Sequence, residues 1–202
     1  IFKNDDALNI GDISKNKRFL ALSKTYTRDN SDVYIYNFDN QNLKKVLFEE
    51  TDVNHSPAGF SHDSKTLYYV TDLDSEFRYL KKYSIETGKI ELVQKENWDI
   101  VANYFSESGK YRITAINKDA QTEIKILNTI NNKYLKLPKM PSGNISSINI
   151  SKSESLMSFY HGSSQNPSDL YFYKIGSRKP AKLTRSMNPL IDQKHLGKAK
   201  IV

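Results

Sequence analysis

The strongest constraint on what this chain can fold into is a phrase said four times: a serine, a few polar residues, then a β-rich run. It reads Ser14-Lys-Asn-Lys-Arg-Phe-Leu-Ala-Leu, Ser61-His-Asp-Ser-Lys-Thr-Leu-Tyr-Tyr, Ser106-Glu-Ser-Gly-Lys-Tyr-Arg-Ile-Thr and Ser151-Lys-Ser-Glu-Ser-Leu-Met-Ser-Phe. The four serines stand 47, 45 and 45 residues apart. A fixed period of that length marks a repeat architecture, in which a unit too small to bury its own apolar face stacks on the next. A second landmark keeps the same period: Val33, Leu80, Ile124 and Leu170 each open a third strand, 47, 44 and 46 residues apart.

Between these landmarks each repeat offers four short β-rich runs. The first carries Ala7–Ile13, Phe19–Ser23, Asp32–Phe38 and Leu43–Phe48, with Lys24 to Ser31 read as a polar loop. The second carries Ser56–Phe60, Thr66–Val70, Tyr79–Ile85 and Ile90–Val93, with Gly88 supplying the positive φ its last turn requires. The third carries Val101–Phe105, Tyr111–Ile116, Glu123–Leu127 and Tyr134–Leu137. The fourth carries Ile145–Ile150, Leu156–Tyr160, Asp169–Tyr173 and Pro180–Leu183. Arg112 stands where the other repeats have Leu20, Leu67 and Met157, which reads as a local shift or a more exposed blade face. No segment sustains a 3.6-residue apolar period. The expected fold is therefore all-β, a β-propeller of four four-stranded antiparallel blades, a partial propeller by its blade count. A β-sandwich with accidental spacing is the alternative. The expected blades span residues 7–50, 51–96, 97–140 and 141–184. Residues 185–202 form a tail with a turn at Asn188-Pro189, a short helix within Leu190–Leu196 and the start of a strand at Ala199–Val202.

Composition narrows the function classes. With 38% hydrophobic residues the chain can build a core, and its 13 tyrosines suit half-buried strands with one polar tip. It has no cysteine, which excludes disulfides, thiolate catalysis and cysteine metal sites. The net charge is +7, but its lysines are scattered over turns and strand ends with no run beyond Lys-Lys, so a solvated basic surface and no nucleic-acid partner are expected. No stretch is long and apolar enough for a membrane span. The first residues have no signal-peptide core, so the expected compartment is cytoplasmic or, with an upstream leader, periplasmic.

No nucleophile elbow, phosphate loop, H-E-x-x-H or dinucleotide fingerprint occurs. His55, His62, His161 and His195 are far apart and read as surface loop residues, so no metal, cofactor or catalytic residue is expected. Each repeated serine reads as a turn residue whose hydroxyl bonds the backbone two residues on; a nucleophile would be unique. The most acidic and irregular loop, Thr71 to Arg78, supplies the candidate ligand-binding residues Asp72, Asp74, Glu76 and Arg78. Its carboxylates suit a cation or a substrate amine, and its guanidinium a carboxylate. The pair Glu49-Glu50 and the loop His161-Gly-Ser-Ser-Gln-Asn166 are lesser candidates.

Two stretches carry a resemblance. Thr71 to Val93 resembles propeller repeats of the prolyl oligopeptidase family of serine peptidases, which includes dipeptidyl-peptidase-like and acylaminoacyl-peptidase-like enzymes. Ala181-Lys-Leu-Thr-Arg-Ser-Met-Asn-Pro-Leu-Ile191 looks like the junction where that family leaves its last blade for an α/β-hydrolase domain. The serine turns are also similar to those of Tol-type propellers. Family propellers have seven or eight blades and a hydrolase domain with Ser, Asp and His; four blades and none of those motifs are present here. The resemblance thus implies a non-catalytic, substrate-gating segment, inactive by itself, whose partners are its own hydrolase domain and a peptide substrate. The alternative is a free-standing Tol-type or WD-repeat-like propeller that binds a protein or small ligand. Four blades of a larger ring are also expected to leave two terminal apolar faces uncovered, favouring self-association or closure into a four-bladed ring.

Overall fold

A computed structural model describes residues 2–47, 52–141 and 143–199. The strands are β1 (Asn9–Ile13), β2 (Phe19–Thr27), β3 (Asn30–Asn37), β4 (Asn42–Lys45), β5 (His55–Phe60), β6 (Thr66–Thr71), β7 (Tyr79–Ser84), β8 (Ile90–Gln94), β9 (Asp99–Phe105), β10 (Tyr111–Lys118), β11 (Gln121–Asn128), β12 (Lys133–Tyr134), β13 (Asn144–Ile150), β14 (Leu156–Ser163), β15 (Asn166–Lys174) and β16 (Ala181–Lys182). They form four four-stranded sheets, ordered β1-β2-β3-β4, β5-β6-β7-β8, β9-β10-β11-β12 and β13-β14-β15-β16. The chain divides into two compact units, Ile1–Phe105 and Ser106–Val202.

The serine phrase builds the same turn four times. Each serine hydroxyl accepts the N–H of the residue five positions on, at 2.9 Å from Phe19, 3.0 Å from Thr66, 2.9 Å from Tyr111 and 3.2 Å from Leu156. Each serine carbonyl accepts the N–H three positions on, from Lys17, Ser64, Gly109 and Glu154. Those four residues all have positive φ, between 54° and 78°. The hydroxyl therefore reaches five residues on and not two, because the fourth residue of the phrase turns left-handed and folds the chain back over the serine. Two residues on, Ser14 and Ser61 meet side chains, donating to those of Asn16 and Asp63.

The fourth residue of the phrase also ties neighbouring turns together. In the first unit the Ser64 hydroxyl accepts the Asn16 N–H at 3.1 Å. In the second unit Glu154 accepts the Ser106 hydroxyl at 2.6 Å, the Ser108 hydroxyl at 2.7 Å and the Ser108 N–H at 3.1 Å. Burial alone would raise the Glu154 carboxyl, and these three donors outweigh it and hold the group below its ordinary value. Ser106→Ala removes an acceptor from a buried N–H and a donor from this carboxylate, so a loss of about 1–3 kcal/mol is expected. Ser151→Ala, with no such cross-turn partner among the described residues, should cost about 1 kcal/mol or less. Urea unfolding midpoints at unchanged slope compare the two.

Alternation along the strands sorts side chains onto two faces. In the first unit Ala21, Val33, Ile35, Val46, Phe60, Leu67, Tyr69 and Tyr83 form one buried cluster joining the first two sheets. The opposite face of the first sheet, with Leu20, Leu22 and Tyr36, is not bare as expected. Leu8 is buried on it and Phe2 packs its ring 4.6 Å from Tyr36. The Asn4 side chain brackets this segment, accepting the Leu8 N–H and donating to the Leu8 carbonyl, both at 2.8 Å. In the second unit Ile113, Ile126, Met157 and Phe159 are fully buried.

Several local expectations change. Lys24 to Thr27 continue β2 and pair with Asn30 to Asp32, so the polar loop shrinks to Arg28-Asp29; Thr25, Tyr26 and Thr27 are good strand residues and the ladder outweighs their polarity. The β10–β11 connection is likewise only Asp119-Ala120, both with positive φ, as a tight hairpin turn requires. Arg112 is 5% exposed, so the more exposed face does not occur there. His55 in β5 and His161 in β14 are buried, not surface loop residues. The expected tail helix is a single 3-10 turn, Gln193–His195, with the Asp192 side chain accepting the Lys194 N–H. The turn at Asn188-Pro189 is present, with the Asn188 carbonyl accepting the Ile191 N–H. The end of the expected strand from Ala199 lies outside the described residues. Gly88 has φ 73° in its turn, as anticipated.

Candidate functional site

At one end of each blade lie the connections from second to third strand. A repeated device fixes them. The Ser31 N–H bonds the Val53 carbonyl at 3.0 Å, and the Ile100 N–H bonds the Arg78 carbonyl at 2.9 Å, each joining a third-strand start to the next first strand. Side chains reinforce it: Asp99 accepts the Arg78 N–H at 2.8 Å, and in the second unit Asn144 accepts the Thr122 N–H at 3.1 Å. The Ser31 hydroxyl donates to the His55 carbonyl at 2.8 Å and accepts the His55 N–H at 3.0 Å.

The loop Thr71 to Arg78 belongs to this end. Asp72 is occupied with scaffolding, accepting the Asn54 N–H at 2.8 Å, and its carbonyl accepts the Ser75 N–H. Tyr79 donates its hydroxyl to the Leu73 carbonyl at 3.0 Å, and Phe77 packs 5.8 Å from Trp98. Asp74, at φ 53°, and Glu76 are exposed, while Asp72 and Arg78 are half-buried. The four residues therefore divide: Asp72 and the Arg78 backbone hold the loop, and the Asp74 and Glu76 carboxylates face solvent. Among the described residues no group of three or more His, Asp or Glu is placed to hold a metal ion. The candidates Glu49 and Glu50 lie outside the described residues.

Other charged anchors went unnoticed in the sequence. Asp32, buried at the start of β3, accepts Lys45 at 2.6 Å and the Tyr26 hydroxyl at 2.9 Å. Burial, together with Tyr26 and Asp32, pushes the Tyr34 hydroxyl well above its ordinary value. Asp169, at the same place in the fourth sheet, accepts Lys182 at 2.6 Å, the Thr184 hydroxyl at 3.0 Å and the Ser186 N–H at 2.8 Å. Lys182 first, with those donors, holds the Asp169 carboxyl far below its ordinary value. An aspartate opening the third strand and a lysine thirteen residues on recur in both repeats, a signal visible once strand register is known.

The loop His161–Asn166 has more consequence than its sequence suggests. It forms one wall of an open dish of about 760 Å³ in the second unit, together with Asp119, Gln121, Asn144, Ser168 and Lys198. Gly143 and Gly162 allow the floor to close up. A Cβ on Gly143, whose φ is 148°, would lie 2.3 Å from the Gly162 carbonyl oxygen, and one on Gly162 would lie 2.5 Å from the Ser168 hydroxyl. Beside the floor, the His161 Nε2 bonds the Pro141 carbonyl at 3.1 Å and its ring stands edge-on to Tyr171. The dish offers amide and hydroxyl groups with one carboxylate and one ammonium, and no serine in it is hydrogen-bonded to a histidine. Such a lining offers hydrogen-bond donors and acceptors to a ligand's polar groups.

No protein-family model matches the chain, and neither does any curated protein sequence. Solved structures do. A puromycin-hydrolyzing peptidase of Mycobacterium tuberculosis matches at TM-score 0.75 and 10% identity over 97% of this chain and 32% of that one. A structure from work on two prolyl endopeptidases matches at 0.70 and 15% identity, over 90% and 27%. TolB from Acinetobacter baumannii matches at 0.64 and 14% identity, over 88% and 43%. The chain thus spans less than half the length of each. With so little identity the likeness speaks for the fold, and the fold it establishes is a run of four β-propeller blades.

Proposed function

We propose that this chain is a non-catalytic propeller segment of a serine peptidase of the prolyl oligopeptidase family, inactive by itself, which controls the access of peptide substrates to a hydrolase domain. The observation that carries the reading is the likeness to two peptidases at TM-scores of 0.70 and 0.75, over nearly all of this chain but under a third of either of theirs. The lack of a nucleophile elbow supports placing the chemistry outside these residues. In this reading the solvent-facing Asp74 and Glu76, with Arg78 beside them, are offered to peptide termini. A dipeptidyl-peptidase-like or acylaminoacyl-peptidase-like specificity is the finer form of the same proposal.

The test is the natural gene product carrying these residues. It should contain a G-x-S-x-G segment, become labelled by a fluorophosphonate and cleave short peptides, while residues 1–202 alone remain unlabelled. A gene product with more blades and no such segment would end this reading. The TolB likeness favours the second one, a propeller that binds a protein or small ligand without catalysis.

A further inference from the structure

The wall of the dish in the second unit already holds a stretch of polypeptide. The tip of the β14–β15 hairpin reaches the segment 193–199 through three side chains. Gln165 donates its amide to the Leu196 carbonyl at 2.7 Å, Ser164 accepts the Ala199 N–H at 3.0 Å, and Asn166 accepts the Gln193 side-chain amide. The first two bonds are to main-chain atoms, so they read a backbone rather than any particular side chain. The held segment contributes almost nothing to a core: every residue from 193 to 199 is exposed except the half-buried Leu196. Asp119, Gln121, Asn144 and Ser168 line the same dish and add to its polar surface. Lys198 also lines it, opposite in charge to Asp119.

A donor to the Leu196 carbonyl and an acceptor for the Ala199 N–H, three residues apart and beside a polar dish, make a receptor for peptide main chain. Hydrogen bonds at an exposed rim are worth little net, so the occupant they hold is exchangeable. We propose that Ser164, Gln165 and Asn166 form a binding site for peptide main chain, filled in this structure by the chain's own residues 193–199, which an incoming peptide displaces. The site stands apart from the peptidase reading, since a binding propeller would use it equally.

The chain has no cysteine, so Lys194→Cys supplies a unique thiol for a fluorophore on an exposed side chain. Titration of the labelled full chain with the peptide acetyl-Gln-Lys-His-Leu-Gly-Lys-Ala-amide should lower the fluorescence anisotropy saturably as the tethered segment is released. In the Ser164→Ala/Gln165→Ala chain the label should be mobile before peptide is added, and peptide affinity, read by calorimetry, should fall about tenfold or more. A peptide N-methylated at its alanine should bind several-fold more weakly, and a scrambled one nearly as well as the original. Ser164 is exposed and Gln165 half-buried, and an unchanged circular dichroism spectrum and urea midpoint confirm that the double variant is folded. A label equally immobile in parent and double variant, or an anisotropy unmoved by millimolar peptide, would overturn the proposal and make 193–199 a fixed part of the blade.

Discussion

Between pH 7 and pH 4 the chain should lose about 2–3 kcal/mol of stability through His55 alone. His55 is 2% exposed, and among the described residues neither ring nitrogen has a hydrogen-bond partner. Burial pulls its pKa from an ordinary 6.5 to about 4. Four charges face it from three strands and a loop: Asp72 and Asp32 favour the imidazolium, Lys81 and Lys45 oppose it, and burial prevails. The unfolded chain therefore takes up the proton first. The stability tied to a neutral His55 is whole above pH 6.5 and drains away as pH falls toward 4. Carboxylates held low, such as Glu154 and Asp169, lose their contribution only below their unfolded values near pH 4, so the two windows separate. His55→Leu removes a buried polar ring with no partner to strand. It should leave stability at pH 7.5 equal or higher and flatten the profile between pH 6.5 and 4. Parallel urea-unfolding profiles for parent and His55→Leu across that range would sink the assignment.

What could be read in the sequence divides along the reach of the interaction responsible. The serine turn closes within six residues, so Ser14, Ser61, Ser106 and Ser151 announce it, and their period places the sheets. The atom each hydroxyl binds was misread because the left-handed fourth residue is Lys, Ser, Gly or Glu, side chains that share no propensity. The burial of His55 and of Arg112 depends on which elements pack over them, and nothing local reports that. The short turns at Arg28-Asp29 and Asp119-Ala120 were hidden because polar residues in a paired ladder look like loop until their partners are known. The candidate site follows the same rule. Thr71 to Arg78 drew notice by charge, yet Asp72 is tied to the Asn54 N–H. The hairpin tip at Ser164-Gln165-Asn166 looked bland because its meaning lies in a segment some thirty residues away.

Phe159→Ala should be the most damaging single change in the second unit, costing about 3–5 kcal/mol. The ring is 0% exposed and stacks on Tyr171 at 5.6 Å with the planes 7° apart. A domain's whole margin is about 5–15 kcal/mol, so such a loss takes a large share of it. Phe159→Leu keeps most of the volume and should cost about 1.5 kcal/mol or a little more, the lost stacking included. The consequence runs on to the dish. Tyr171, freed on one face, is the ring against which His161 stands at 5.9 Å. His161 in turn fixes the Pro141 carbonyl just ahead of Gly143, whose backbone lies against Gly162. Loosening this stack should therefore speed amide exchange first in Gly162 to Ser168, before β10 and β11 are affected, and release the segment 193–199 from Gln165. In Phe159→Leu both effects should be small. If the alanine chain instead loses its stability while Gly162 to Ser168 exchange no faster than β10, the hairpin tip is held by its own ladder, and the core stack has no part in shaping the dish.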